Sequence, residues 1–191
     1  EIDMLARNTT WTFSRDVDLK FEFVGVNYYD GQGFMAKADL GVSSATELDG
    51  ATVCIQTGTT TELNLADFFR SNNMSYEPVP VETGSEAVTN YMAGACDVFT
   101  TDRSALAARR ANMENPEEHV VLPEIVSKEP LGPLVRHGDN NWGDVVRWTL
   151  NALITAEELG VTKANLEEMS KGTNNPEMNR LLGLSLIHIS E

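Results

Sequence analysis

The sequence has few cysteines, few histidines and few basic residues, and each shortage argues against a class of function. Two cysteines and three histidines occur in 191 residues, and they form none of the usual zinc-binding or Cys–His catalytic patterns. Lys and Arg total 14 against 29 Asp and Glu, a net charge of −15, so there is no basic surface for nucleic acid or an anionic membrane. No apolar run approaches the ~20 residues of a membrane-spanning helix. Nucleophile-elbow and phosphate-loop motifs are also missing, so the sequence gives little support to catalysis.

Both ends of the chain are unusual. It begins at Glu1 without Met or a signal peptide, inside a strand-like run. The last eight residues, Leu-Ser-Leu-Ile-His-Ile-Ser-Glu, resemble a translated adaptor sequence from a DNA sequencing library. We therefore expect residues 184–191 to be foreign to the protein and the chain to be a fragment cut at both ends. A genuine short terminal strand is the alternative for the last segment.

Hydrophobic periodicity predicts alternating strands and helices in the middle of the chain. The predicted strands are residues 51–56, 76–81, 96–101 and 120–126, and the predicted helices are residues 60–69, 85–93 and 104–112. Pro78 and Pro80 place the second strand at a sheet edge or near a strand end. This order is the βαβ rhythm of a parallel sheet covered by helices, which indicates an α/β fold.

A different element follows this block. Residues 131–136 read as extended, and apolar residues from Trp142 to Ile154 recur at helical spacing, which predicts a long helix ending at Gly160. Gly- and Pro-bearing stretches at residues 27–33 and 128–133 bracket the block. We therefore predict a lobe at residues 29–130 inserted between residues 1–28 and 131–183, with hinge strands at both crossings that permit closure.

Three segments carry candidate ligand-binding residues. Gln-Thr-Gly-Thr-Thr-Thr-Glu, residues 56–62, follows a strand and opens a helix, whose first-turn amides could bind a carboxylate or phosphate. The alternative is a plain capping box between Thr59 and Glu62. Arg15 ends a polar stretch, residues 7–15, and could pair with a carboxylate, or it could lie in an ordinary surface loop.

The third segment contains Asp102, which directly follows a predicted buried strand and could hold an ammonium group. Its alternative role is to cap the helix that begins near Ser104. Each signal is weak alone. Together they provide a cation and a helix N-terminus for a carboxylate and an anion for an ammonium, which matches a free α-amino acid held between two lobes.

The sequence resembles the solute-binding proteins of polar amino acid ABC transporters, most closely the general L-amino acid-binding subgroup. Residues 7–16, 50–65, 96–102 and 128–138 carry the resemblance, which runs from about Glu1 to Gly183. It implies a two-lobe periplasmic-binding-protein fold of type 2, with a complete small lobe and a partial large lobe. By position it also implies roles for individual residues: Asn8, Thr10, Arg15, Gln56, Thr59, Thr60 and Asp102.

In that assignment, Thr10 and Arg15 match the large-lobe residues that bind the ligand's α-carboxylate, and the backbone of Asn8 meets the α-ammonium. Thr59 and Thr60 match the small-lobe positions that close on the carboxylate. Asp102 matches the acid that pairs with the α-ammonium. Gln56 matches a position that often contacts the ligand's side chain and that varies with specificity. Arg15 and the helix N-terminus would then form a local positive pocket in an acidic protein.

The resemblance further implies a monomeric periplasmic protein without cofactor or metal. It would bind free L-amino acids, polar or acidic and of broad range, and dock on a membrane permease with its ATPase, with no nucleic acid partner and no direct membrane insertion. The alternatives are an enzyme on the same fold, such as a small dehydratase, and the ligand-sensing domain of a receptor. We expect the fragment to be less stable than the whole protein and to bind poorly.

The two cysteines suit a periplasmic disulfide, because Cys54 and Cys96 would lie on neighbouring strands of this fold. Two buried free thiols are the alternative, since cysteine also packs as a small hydrophobic residue. The sequence leaves both open.

Overall fold

The computed structural model describes residues 2–184. The chain divides into two compact units: unit 2 is the continuous segment Tyr28–Pro130, and unit 1 combines the residues up to Asn27 with those from Leu131 onward. The sequence places the corresponding lobe boundaries after residues 28 and 130. Apart from Leu184, the segment expected to be foreign to the protein lies outside the described residues.

The described residues form ten strands and six α-helices. The strands are β1 (Met4–Leu5), β2 (Phe21–Phe23), β3 (Tyr28–Asp30), β4 (Gln32–Lys37), β5 (Ala51–Gln56), β6 (Tyr76–Val81), β7 (Val98–Asp102), β8 (His119–Val121), β9 (Glu129–Leu131) and β10 (Leu134–Arg136). The helices are α1 (Thr60–Ser71), α2 (Gly84–Met92), α3 (Arg103–Ala111), α4 (Asn140–Glu158), α5 (Leu166–Met169) and α6 (Pro176–Leu181). Shorter turns of helix cover Ser14–Asp18, Ala38–Leu40, Ala45–Glu47 and Pro116–Glu118.

Unit 2 contains a five-stranded sheet in the order β6-β5-β7-β4-β8. The three strands β5, β6 and β7 are parallel, as the βαβ rhythm predicts. Strand β6, which carries Pro78 and Pro80, lies at the edge, where a strand can lack ladder donors. The small strands β3 and β9 pair in a separate two-stranded sheet.

The sheet is mixed rather than purely parallel, because strand β4 inserts antiparallel to β7 and to β8. The sequence analysis placed residues 32 and 33 in a hinge stretch and predicted no strand for residues 34–37. Its residues, Gln-Gly-Phe-Met-Ala-Lys, have neither alternating polarity nor a β-branched residue. All but Lys37 are buried, so burial on both faces removed the alternation that would have indicated a strand. The strand predicted at residues 120–126 is also shorter, covering only His119–Val121.

Both faces of the unit 2 sheet are buried. Successive side chains of each strand point to opposite sides, so each strand contributes to two separate cores. The α1 side holds Phe34, Ala36, Ala45, Leu48, Val53, Ile55, Leu65, Phe69, Val98 and Leu122. The side of α2 and α3 holds Met35, Cys54, Val81, Ala87, Tyr91, Cys96, Phe99 and Leu106. The sheet is thus the middle layer of three.

The two cysteines form a disulfide within the second of these cores. Cys54 lies on β5, and Cys96 lies two residues before β7 rather than on it, with a Cα–Cα distance of 5.6 Å. The bridge therefore fixes the start of β7 against its parallel neighbour, and no free cysteine remains in the chain.

Unit 1 contains a three-stranded antiparallel sheet in the order β1-β10-β2, with a small buried cluster of Val24, Val135 and Val146. Its longest element, α4, has the predicted position and length, but most of its apolar face is not buried. Val146 is buried, whereas Val145 is 55% exposed and Leu153 65% exposed. In the described part of unit 1, this helix packs against the short α6 and shares the small valine cluster with the sheet. No helix among the described residues is long and apolar enough to cross a membrane.

Removing the disulfide is expected to destabilise the chain. The bridge closes a segment with a sequence separation of 42, and loop-closure entropy for that length gives about 4 kcal/mol, within the usual 2–4 kcal/mol. Cys54→Ala/Cys96→Ala should therefore lower the free energy of unfolding of the oxidised chain by a few kcal/mol in urea titrations. Equal stability of the variant and the oxidised chain would contradict this role. The bond itself is checked by a thiol assay on denatured, unreduced protein, which should detect no free thiol.

A buried histidine makes the stability of unit 2 depend on pH. His119 Nδ1 lies 2.8 Å from the Tyr91 hydroxyl. Burial lowers the pKa of His119 in spite of Glu118, and Lys37, Arg110 and Asp39 act on it more weakly. Because the unfolded chain then binds a proton more readily, the free energy of unfolding should fall as pH drops below about 6.5 and level off below the folded-state pKa.

The test is urea unfolding between pH 5 and 8 for the native chain and His119→Asn, whose amide oxygen can still accept from Tyr91. The native chain should lose stability on acidification over this range, and the variant should lose less. Parallel pH profiles for the two proteins would contradict the assignment to His119.

Candidate ligand-binding site

The first turn of α1 is already supplied with side-chain partners. Thr59 is the N-cap: its hydroxyl accepts from the Glu62 amide at 3.3 Å and donates to the Gln56 carbonyl at 2.8 Å. The Glu62 carboxylate accepts from the Gly58 amide at 2.8 Å, one residue before the position that a standard capping box uses. Gly58 has φ +70°, a conformation that favours glycine. The capping alternative therefore explains the hydroxyl of Thr59, and only first-turn backbone amides are left to bind an anion.

Thr60 points its hydroxyl toward a second carboxylate. Its Oγ1 donates to Glu129 Oε2 at 3.2 Å, and Asn64 Nδ2, one turn further along α1, donates to Glu129 Oε1 at 2.9 Å. Glu129 is 2% exposed. The carboxylates of Glu62 and Glu129 thus both lie at the N-terminal end of this helix, and the positive pocket expected with Arg15 stays a prediction.

Gln56 is the last residue of β5, and its side-chain amide donates to the Glu82 carbonyl at 3.1 Å. This bond ties the end of β5 to the loop between β6 and α2. Gln56 is two residues after Cys54 on β5, so its side chain lies on the same face of the sheet, the side of α2 and α3.

Asp102 is the last residue of β7 and is 5% exposed. It occupies the N-cap position of α3, but its side chain makes no capping hydrogen bond to that helix. The cap comes instead from Asp30, whose carboxylate accepts from the Ser104 amide at 3.3 Å and from the Ser104 hydroxyl. The capping alternative is therefore wrong for Asp102, and Asp30 is a structural residue that the sequence analysis did not identify.

The register of β4 brings Gln32 directly opposite Asp102. Residues opposite each other in an antiparallel pair point to the same face, and both belong to the α1 face. Gln32 is fully buried, and its side-chain amide donates to the Thr61 carbonyl at 3.1 Å and to Thr100 Oγ1 at 3.0 Å. Its Oε1 has no partner among the described residues. A buried polar centre thus lies beneath the start of α1, beside the Asp102 carboxylate.

The predicted residues of unit 1 lie in one loop between β1 and β2. Arg15 donates from Nη1 to the Thr10 carbonyl at 2.9 Å and is half-buried. Thr10 is buried and pairs with Leu131 through an isolated bridge, and Asn8 is exposed. A guanidinium has five N–H donors, so the bond to Thr10 orients Arg15 and leaves other N–H groups for a carboxylate.

Two of the residues that complete this site were not identified from the sequence. Gln32 lies on a strand that was not predicted, and Glu129 lies in a stretch that was used only for the lobe boundary and the resemblance. A buried glutamate is rare unless it is partnered, but one sequence gives no sign of burial at an isolated position beside Pro130. Among the described residues, no group of three or more His, Cys, Asp and Glu side chains is arranged to hold a metal ion.

Comparison with known proteins identifies close relatives over nearly the whole chain. The glutamate/glutamine/aspartate/asparagine-binding protein BztA of Rhodobacter capsulatus is 65% identical over 184 residues, which are 96% of this chain and 54% of that protein. The general L-amino acid-binding periplasmic protein AapJ of Rhizobium johnstonii is 58% identical over 183 residues, 96% of this chain and 53% of that protein. The chain therefore spans about half the length of the curated relatives it matches. No protein-family model matches it.

Solved structures agree with this relationship. An ABC transporter periplasmic binding protein from Brucella ovis, solved with glutathione bound, is 55% identical with a TM-score of 0.91, covering 96% of this chain and 58% of that one. An ancestral arginine-binding protein bound to arginine shares the fold at 22% identity, with a TM-score of 0.69 over 87% of this chain and 71% of that one. The high-identity relatives of this chain are therefore amino acid-binding proteins of ABC transporters, and its mixed α/β fold is that of the type 2 periplasmic binding proteins.

Proposed function

We propose that the protein to which this chain belongs binds free L-amino acids in the periplasm and delivers them to the permease and ATPase of an ABC transporter, without catalysing a reaction. The observation that carries the proposal is the carboxylate of Asp102, which is 5% exposed at the carboxyl end of β7 and does not cap α3. Ligands of open α/β sheets bind at this end of the strands. A carboxylate there is suited to an ammonium group.

The two units offer groups for the two ends of an amino acid. In unit 1, the Arg15 guanidinium is held by the Thr10 carbonyl and can pair with an α-carboxylate, while the Asn8 backbone can accept from the ammonium. In unit 2, Asp102 binds the ammonium. Thr59 and Thr60 contribute backbone amides of the first turn of α1 rather than hydroxyls, because both hydroxyl protons are already donated within unit 2.

The ligand class follows from the relatives and from the polar lining. BztA is named for glutamate, glutamine, aspartate and asparagine, and AapJ for general L-amino acids. Gln56 and the groups around α1 are hydrogen-bonding rather than apolar. We therefore propose that the ligands are polar and acidic L-amino acids and that Gln56 contacts the ligand's side chain.

Binding is best measured in a chimera, because the relatives are about twice as long as the chain. The chain replaces the homologous 184-residue stretch of BztA, and the twenty L-amino acids are screened by thermal shift, followed by calorimetry. Glutathione belongs in the panel, because the Brucella ovis protein was solved with it bound and its γ-glutamyl end carries an α-amino acid group. A stably folded chimera that responds to none of these compounds would overturn the proposal.

Asp102→Asn in the chimera should weaken amino acid binding by about 100-fold, on the order of 3 kcal/mol for a buried hydrogen bond between charged groups. The matched control is Asp67→Asn, which makes the same charge change on the exposed surface of unit 2. Calorimetry should show near-native affinity for the control. Equal affinities for the two variants would contradict the role of Asp102.

A further inference from the structure

The first two backbone amides of α3 both find their acceptors in the turn between β3 and β4. The Arg103 amide donates to the Gly31 carbonyl at 2.8 Å, and the Ser104 amide donates to the Asp30 carboxylate at 3.3 Å. The Ser104 hydroxyl donates to the same carboxylate. Asp30 Oδ1 also accepts from the Gly31 amide at 2.8 Å, so the carboxylate is oriented by its own turn as well as by α3.

These bonds replace the cap that Asp102 would otherwise provide. Asp102 is the N-cap residue of α3, and an aspartate at this position normally accepts from the amide of the second or third residue of its helix. Ser104 is that second residue, and its amide donates to Asp30. Asp102 makes no capping bond. A residue from a distant part of the sequence therefore serves the helix in place of the one at its start.

The same turn is tied to Asp102 through the sheet. Gln32, two residues after Asp30, lies directly opposite Asp102 in the register of β4 and β7. Asp30 and Asp102 thus belong to one junction of two paired strands and a helix. A bond between Asp102 and the α3 amides would compete at this junction with an ammonium group for the same carboxylate.

We propose that Asp30 is a positioning residue of the amino acid site, because by capping α3 it keeps the Asp102 carboxylate directed to the α-ammonium group of the ligand. This inference rests on the proposed function, in which Asp102 binds that group. A typical N-cap bond corresponds to about a fivefold change in an equilibrium constant. Loss of the Asp30 cap should therefore weaken recognition of the ammonium by about that factor.

A purely structural role for Asp30 makes a different prediction. If the residue only stabilises α3, its replacement weakens the binding of all ligands by the same factor. The two roles are separated by a ratio of dissociation constants, that of the L-glutamine analogue lacking the α-amino group divided by that of L-glutamine. This ratio reports on the α-amino group alone.

The experiment measures the ratio by calorimetry in the chimera defined above. Asp30→Ala leaves the Ser104 amide to Asp102 and should lower the ratio about fivefold. Asp30→Asn keeps an acceptor oxygen and should restore the ratio to within about twofold of the native value. The matched control is Asp49→Ala, because Asp49 likewise accepts from the amide and the hydroxyl of one serine, Ser75, at 2.7 and 3.1 Å. The ratio of this control should equal that of the native protein.

A double-mutant cycle tests whether Asp30 acts through Asp102. In the Asp102→Asn background, Asp30→Ala should change the ratio by less than about twofold, because no carboxylate is left to be diverted. If Asp30→Ala does not fold, Asp30→Ser takes its place, since its hydroxyl ends one bond short of the carboxylate oxygens.

An unchanged ratio in the folded Asp30→Ala or Asp30→Ser chimera would overturn the inference, as would an equal fall of the ratio in both backgrounds. These outcomes contradict only the role of Asp30, provided that the native chimera prefers glutamine to its analogue. A native chimera that binds no amino acid contradicts the proposed function itself.

Discussion

The backbone amides at the start of α1 have no acceptors inside the helix, and this constraint organises the polar end of unit 2. The Thr59 hydroxyl accepts a hydrogen bond from the Glu62 amide, and the Glu62 carboxylate accepts one from the Gly58 amide. The Thr60 hydroxyl donates to the buried Glu129 carboxylate. What remains for a ligand is a small set of backbone N–H groups beside two glutamate carboxylates. A helix N-terminus that attracts anions in isolation is therefore partly neutralised here.

Strand β4 contributes a further buried polar side chain to the same end of the sheet. Its antiparallel register sets Gln32 opposite Asp102, and the Gln32 amide bonds to Thr61 and Thr100. One buried side chain thus connects the carbonyl of the α1 first turn with the strand that ends at Asp102. The polar groups that meet at this end of unit 2 therefore include the carboxylates of Asp102 and Glu129.

Local signals predicted the elements that are regular in sequence. The parallel strands β5 to β7 and the helices after them have clear periods and turn residues, and the prolines of β6 correctly indicated an edge. Strand β4 was missed because burial on both faces removed its alternation. The site residues on a motif, such as Asp102, could be proposed from sequence, whereas Gln32 and Glu129 depend on strand register and burial, which a single sequence does not encode locally.

The central claim is that Asp102 recognises the α-ammonium group of the ligand. The most direct measurement is a double-mutant cycle by calorimetry in the chimera, combining native protein and Asp102→Asn with L-glutamine and its analogue lacking the α-amino group. The account predicts that the substitution costs about 100-fold for glutamine and almost nothing for the analogue. An equal loss for both ligands would contradict it, because Asp102 would then act on the protein structure or on another part of the ligand.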